Sequence, residues 1–379
     1  MKILIATDSF KDCLSAKKVG EFVKNGLNEA STLFDIKIVP MADGGEGTVE
    51  AIIEATDGSY NFATVHDPLM KSVKARYGVT GDGKTAVIEM AAASGIELLK
   101  KNERNPWVTS TIGTGELIKD SLDKGFRRII IGIGGSATND GGAGMASALG
   151  VKFLSSSGEI KYPSGGSLSE LIKIDLTGLD ERIFESEIII ASDVKNTLIG
   201  AEGASYIYGR QKGADEDMIR KLDSNLEKLA EIVQQQTGKD IAYLPGAGAA
   251  GGLGAGLLAF LNAGMQNGFE IVRQETRLAE YCNWADVVIT GEGRIDNQTK
   301  YGKTPQGVAN TAKAYGKQVI AIAGSLGEKY EELYQSGFDI ILSIVDKPMT
   351  LKEALTNAPE LLKKTGFTIG RILSVLAKK

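Results

Sequence analysis

The tract Ile130–Gly144 runs from isoleucines into a glycine-rich loop that holds Ser136, Thr138, Asn139 and Asp140. A loop of this make-up bares backbone N–H groups and small polar side chains, which is how an α/β protein cradles a phosphate. Three further segments have the same character: Pro40–Thr48, Pro245–Gly254 and Thr290–Asp296. Four such loops in one chain predict a composite site for an anionic ligand.

Carboxylates stand where strands are expected to end: Asp8, Asp43, Asp140, Asp193, Glu292 and Asp296. Open α/β sheets bind ligands beyond the carboxyl ends of their strands. Any one of these acids alone reads as a helix cap or turn former. Asp193 has least of that character, because it follows the hydrophobic run of IIIAS and precedes Val194-Lys195-Asn196. Lys11, Lys195, Arg210, Lys212 and Arg294 lie in or beside the same segments. Surface ion pairing accounts for Arg210 and Lys212 more readily than for Lys11 and Arg294. Acids, cations and glycine loops together describe phosphoryl transfer, in which Mg²⁺ and Lys or Arg neutralise phosphates and a carboxylate orients the attacking hydroxyl.

The competing chemistry is hydride transfer. Gly132–Ala137 matches G-x-G-x-x-A and Gly246–Gly251 matches G-x-G-x-x-G, so an NAD-dependent hydroxy-acid oxidoreductase is the alternative. The first match lacks a strand-terminal acid at the required distance, and the second has only Glu270, inside Phe269–Val272. Asn297–Thr304 resembles a P-loop whose first glycine is replaced by Asn297, with Lys303 at the approach to a helix N-terminus that favours anions. His66 is the one histidine, so a zincin motif is excluded and acid–base chemistry falls on carboxylates and lysines. A non-catalytic ligand-binding protein is the third class.

The elements that must position these groups are legible from pattern. Lys2–Thr7 reads as a buried strand, and Ser15 as the cap of a helix whose Val19, Phe22, Val23 and Leu27 share a face. Ile36–Val39 is the next strand, and Asn61–Val65, Val73–Val79 and Thr85–Met90 follow with turns between them. Towards the end, strands at Val287–Thr290, Val319–Ala323 and Ile340–Val345 alternate with helices, one capped by Thr304 with Pro305 at its first position and one at Tyr330–Ser336. Thr350 and Glu353 form a capping box. The expected fold class is α/β with two domains: a Rossmann-like or flavodoxin-like domain with a mostly parallel sheet, built from 1–70 plus 285–379, and an α/β domain inserted at 71–284.

Composition narrows the partners. A chain of 379 residues exceeds what one core usually supports. A net charge of -5 with 6% aromatic residues offers no basic stripe or stacking platform for nucleic acid. Cys13 and Cys282 form no C-x-x-C, and the N-terminus reads as a strand with no leader, which fits the cytoplasm. Gly246–Met265 is uncharged but glycine-laden and interrupted by Asn262, so it reads as a loop feeding a helix and not as a membrane span.

The motifs DSFKDCLSA, VPMADGGEGT, IGIGGSATNDGGAGM, ASDVKNTLIGAEGA, QKGA, PGAGAAGGLG and VVITGEGRIDNQTKYGKTPQGVA, in this order, resemble the bacterial class I glycerate kinase family. The resemblance spans about Met1 to Gly324. It implies ATP- and Mg²⁺-dependent phosphorylation of D-glycerate, usually at the 2-hydroxyl, with some members giving 3-phosphoglycerate. It also implies two α/β domains with the active site in the cleft between them. The family's usual first motif is similar to PDSFKGSLSA, from which Thr7, Asp12 and Cys13 depart. On this reading Asp193 orients the attacking hydroxyl, and Arg294 and Lys11 hold glycerate's carboxylate or the transferring phosphate. Substrate contacts are expected at Asp8, Ser9, Asp43, Gly44, Gly45 and Glu292. Nucleotide contacts are expected at Gly134, Gly135, Ser136, Thr138, Asn139, Asp140, Gly248, Gly251 and Gly252, and Mg²⁺ ligands at Asp43, Glu292 and Asp296.

Overall fold

The computed structural model describes residues 1–45 and 47–376. The β-branched runs become strands: β1 Lys2–Thr7, β2 Asp35–Ile38, β3 Ser59–His66, β4 Ser72–Val79, β5 Thr85–Glu89, β6 Arg128–Gly132, β7 Lys152–Ser155, β8 Gly158–Glu159, β9 Lys173–Asp175, β10 Glu187–Ala191, β11 Gly264–Gln266, β12 Val287–Ile295, β13 Gln318–Leu326 and β14 Ile340–Ser343. They divide between two compact units. One comprises Met1–Asp43, Glu50–Asp57 and Phe269–Lys379, the other Gly44–Val49 and Gly58–Gly268.

The first unit is a parallel sheet in the order β14-β13-β12-β1-β2. Its interior strand β1 aligns Ile3 with Ile36 on one side and Val287 on the other. Ile3, Leu4 and Ile5 have no exposed surface, which is why β1 reads as a continuous apolar run: helices cover both faces of a parallel sheet. The Ala16–Ala30 helix turns Val19, Val23 and Leu27 into the same core as Leu362, Ile369 and Leu373 of the Leu351–Leu376 helix. The expected capping box is present, with Thr350 N–H donating to Glu353 Oε2 at 2.8 Å and Glu353 N–H to Thr350 Oγ1 at 3.3 Å.

The second unit carries a mixed sheet in the order β11-β10-β6-β5-β4-β3, parallel from β11 to β5 and antiparallel beyond. A small antiparallel sheet, β8-β7-β9, was not foreseen. The loop expected to feed a helix does so at Ala249–Phe260, but Ala250, Gly251 and Gly252 take left-handed conformations inside its first turn.

Three expectations need correction. The main unit boundaries fall at 57/58 and 268/269 and not at 70 and 285, and the second unit also takes Gly44–Val49. The reason is pairing: β3 forms an antiparallel ladder with β4 and so goes with the second unit, whereas the Leu278–Trp284 helix packs on Thr304–Ala314 of the first. Tyr330–Ser336 is a 3₁₀ segment. Thr304 does not cap its helix; the N-cap position is Lys303, Pro305 sits in the first turn, and the Thr304 hydroxyl is engaged elsewhere.

Candidate active site

In the first unit, β1 ends at Thr7 and delivers Asp8 to the carboxyl edge of the sheet, where Asp8 N–H donates to Gly291 O of β12 at 2.9 Å. The Asp8 carboxylate accepts from Thr304 Oγ1 at 2.6 Å and from Ser9 N–H at 2.6 Å. Burial pushes its pKa up to about 7, against the pull of these two donors, and the neighbouring Asp43 and Glu292 push in the same upward direction. Glu292, on β12, accepts from Thr299 Oγ1 at 2.8 Å and from Lys303 Nζ at 3.4 Å. Its pKa is also raised, by burial above all, with Lys303 opposing. Arg294 projects with its side chain 66% exposed and pairs through Nε with Asp296 at 3.2 Å. Asp296 itself caps the Asn297–Tyr301 turn, accepting from Gln298 N–H at 3.0 Å. Lys11 lies exposed in the turn after β1, and its neighbour Asp12 has φ 59°, in the left-handed region. That conformation accounts for a glycine in the family motif at this position; Asp tolerates it at modest cost.

In the second unit, β10 ends at Ala191 and releases Asp193 onto the surface. Its Oδ1 accepts from Asn267 Nδ2 at 2.6 Å and from Gly268 N–H at 2.9 Å. Gly44 lies against the same corner: at φ 95° it passes so close to Gly268 that a Cβ there would be 2.6 Å from the Gly268 Cα. Gly45 in turn lies under Gly134, 3.4 Å from where a Cβ would be. The structure thus gathers Asp193, Gly44, Gly45 and Gly134 within this unit. Glu46, in the same loop, lies outside the described residues. Gly134 and Gly135 are exposed, and Ser136 is 8% exposed, bridging to Gly95.

The rest of the expected nucleotide set is enclosed. Thr138, Asn139 and Asp140 have no exposed surface, and Gly248, Gly251 and Gly252 are buried. Asp140 accepts from Thr111 N–H and Oγ1, each at 2.8 Å, and from Gly142 and Gly144 N–H at 3.1 and 3.2 Å. Asn139 Nδ2 donates to Ser205 Oγ at 2.9 Å. Gly251 packs so tightly that a Cβ would lie 1.9 Å from Thr138 O. Asn139, Asp140 and Gly251 are thus packed into the base of the loop, and Gly134 and Gly135 are its exposed part. Lys212 is corrected too. It is 1% exposed and donates through Nζ to Thr138 O at 2.7 Å, and burial brings its pKa down to about 7 with Asp140 opposing. Arg210 is the surface ion pair expected, bonded to Glu216.

Among the described residues no group of three or more His, Cys, Asp or Glu is close enough to hold a metal ion, so Asp43, Glu292 and Asp296 do not form a ready-made cage. Mg²⁺ fits nonetheless, because it commonly takes one or two carboxylates and completes its shell with water and phosphate oxygens. Besides burial, Asp43 and Glu292 push the Asp8 pKa up, and a divalent cation would relieve that part of it. Sequence reasoning missed Asn267, whose side chain meets Asp193 from 74 residues away, and Glu89, whose Oε1 accepts from Val49 N–H at 3.1 Å. Glu89 is a strand-end acid like the others, and that signal was available. Among the described residues no helix is long and apolar enough to cross a membrane.

The sequence profile of the glycerate kinase family matches residues 3–374. A glycerate kinase from Halalkalibacterium halodurans is 50% identical over 372 residues, 98% of each chain. A glycerate 2-kinase from Escherichia coli is 49% identical over 375 residues, 99% of this chain and 98% of that one. Among solved structures, a putative glycerate kinase 2 from Salmonella typhimurium LT2 is similar with a TM-score of 0.91 and 46% identity over the whole of both chains.

Proposed function

From a chain that belongs to the glycerate kinase family, and so acts as a glycerate kinase, we infer transfer of the terminal phosphoryl group of ATP to the 2-hydroxyl of D-glycerate. The observation that carries the choice of hydroxyl is the full-length similarity, at 49% identity, to a protein named glycerate 2-kinase. The hydride-transfer alternative is disfavoured by the match of the glycerate kinase family over residues 3–374.

Asp193 is the carboxylate that accepts the hydroxyl proton. N–H donors from Asn267 and Gly268 on Oδ1 fix its direction. The exposed backbone of Gly134 and Gly135 receives nucleotide phosphates, the role for which such loops are suited. Arg294 and Lys11 hold the glycerate carboxylate or the transferring phosphate, and Asp8, Ser9, Gly44 and Gly45 contact the substrate. Asp43 and Glu292 are the residues that would hold Mg²⁺, which when bound neutralises charge developing on the phosphate oxygens. Asp296 is paired with Arg294 and caps its own turn.

A coupled ADP-release assay with D-glycerate, followed by phosphorus NMR of the product, tests the reading. Glycerate-dependent ADP release with 2-phosphoglycerate as product is expected. A product phosphorylated at the 3-position would overturn the regiochemistry, and ADP release independent of Asp193 would overturn its role.

A further inference from the structure

The first two turns of the Leu351–Leu376 helix set Leu351, Ala354, Leu355 and Ala358 on one face. Two of these remain open to solvent, Leu351 at 76% and Leu355 at 37%. The face roofs a cavity of about 310 Å³ that lies wholly in the first unit, and the cavity's floor is the C-terminal ends of β12, β13 and β14. That is where open parallel sheets receive their ligands, and the volume lies at the small end of ligand pockets.

The lining is chemically lopsided. Its walls are apolar apart from Lys11, Arg294 and the hydroxyl of Ser325, and no carboxylate lines it. Arg294 shares its charge with Asp296, whereas Lys11 has no ion-pair partner among the described residues. A chamber with two cations and hydrocarbon walls complements an anionic head on an apolar tail. Glycerate offers the head but has no tail for the wall that Leu351, Leu355 and Ala358 provide.

We propose that this cavity is a binding site for monocarboxylates bearing a short unbranched alkyl chain, with the carboxylate on Lys11 and Arg294 and the chain under the Leu351–Ala358 face. The proposal rests on the reading of Lys11 and Arg294 as anion-holding residues.

Cys13 lines the cavity and supplies a reporter, because Cys282, the other cysteine, is completely buried. Burial raises the Cys13 thiol pKa, so alkylation by iodoacetamide is followed at mildly alkaline pH. The full chain is challenged with hexanoate, hexan-1-ol and hexylamine, each at about ten times a dissociation constant on the order of 1 mM. Hexanoate should slow alkylation about tenfold, hexan-1-ol much less, and hexylamine not at all. Leu355→Trp, which fills the chamber, should abolish the protection, with circular dichroism confirming the fold. Equal protection by all three probes, or none by hexanoate, would overturn the proposal, and both outcomes are read on the unmodified chain whatever the variant does. The assay contains neither glycerate nor nucleotide, so its failure is distinct from failure of the kinase reading, which is read from glycerate-dependent ADP release.

Discussion

The ammonium group of Lys212 is enclosed within the second unit and donates to the carbonyl oxygen of Thr138 at 2.7 Å, directly beneath the exposed glycines of the phosphate-loop candidate. Thr138 O has Gly251 pressed against it and Asp140 two residues on, so one cation serves a buried carbonyl and a buried carboxylate at once.

Lys212→Met should therefore be costly. It retains the length of the side chain but leaves Thr138 O without its donor and Asp140 without its nearest counter-charge, a combination worth roughly 2–4 kcal/mol. Urea unfolding would report this as a lower midpoint with the slope unchanged. A midpoint equal to the parent's would show that the loop does not depend on the buried cation.

Asp8 sets a pH dependence whose sign can be worked out. Its folded pKa, about 7, lies above the ordinary carboxyl value of about 3.9, so the folded state binds the proton more tightly than the unfolded chain. The stability this contributes is fully present below pH ~4 and is lost as pH rises through ~7. Asp8→Asn should remove that slope, since the Thr304 hydroxyl can reverse its bond and accept from the amide. Urea midpoints at pH 5 and pH 8, without divalent cations, should converge in the variant and differ in the parent. An identical slope in both proteins would rule out Asp8 as its source.

What the sequence disclosed and what it hid follows from range. Strand runs such as Lys2–Thr7 and the acids at their ends are local signals, and the structure has them in place. Burial is a tertiary property, so the sequence did not show that Asn139 and Asp140 bond to Ser205 and Thr111: a polar residue in a glycine loop looks the same facing water or facing protein. Lys212 read as surface charge for the same reason. A unit boundary near 70 would part β3 from β4, whereas the two pair as an antiparallel hairpin.

Asp193→Asn should lower kcat by about 10²–10⁴-fold while nucleotide binding is retained, as for loss of a proton acceptor. Asn267→Ala removes the amide N–H donor on Asp193 Oδ1 and should cost about tenfold in kcat through misorientation, with little change in unfolding midpoint. Steady-state kinetics beside equilibrium nucleotide titration separates these effects. Full activity in Asn267→Ala would show that the Asn267 amide is not needed to orient the carboxylate.

For Arg294 the discriminating substitution is Lys. It keeps the charge but loses the planar fork that suits carboxylates and phosphates, so the KM for D-glycerate should rise about tenfold or more. Part of the effect comes through Asp296, whose contact with Arg294 Nε at 3.2 Å a lysine cannot reproduce in the same geometry. Unaltered KM and kcat would remove Arg294 from the substrate site.

Cys13 and Pro359 are coupled through a carbonyl that neither owns. Within the Leu351–Leu376 helix the oxygen of Leu355 would ordinarily accept from the N–H four residues on, but that residue is Pro359, which has none. Cys13 Sγ supplies the substitute at 3.5 Å, a weak donor reaching from the turn that carries Lys11 and the left-handed Asp12. Cys13→Ala should cost about 0.5–1 kcal/mol in the parent, for the lost bond and contacts. In a Pro359→Ala background the helix donor is restored, Leu355 O no longer needs the thiol, and the same substitution should cost only its packing share. A double-mutant cycle on urea midpoints reads the difference as a coupling energy of about 0.5 kcal/mol. Additive effects would mean that the helix has relaxed around Pro359 in another way and that the Cys13 contact contributes nothing of its own.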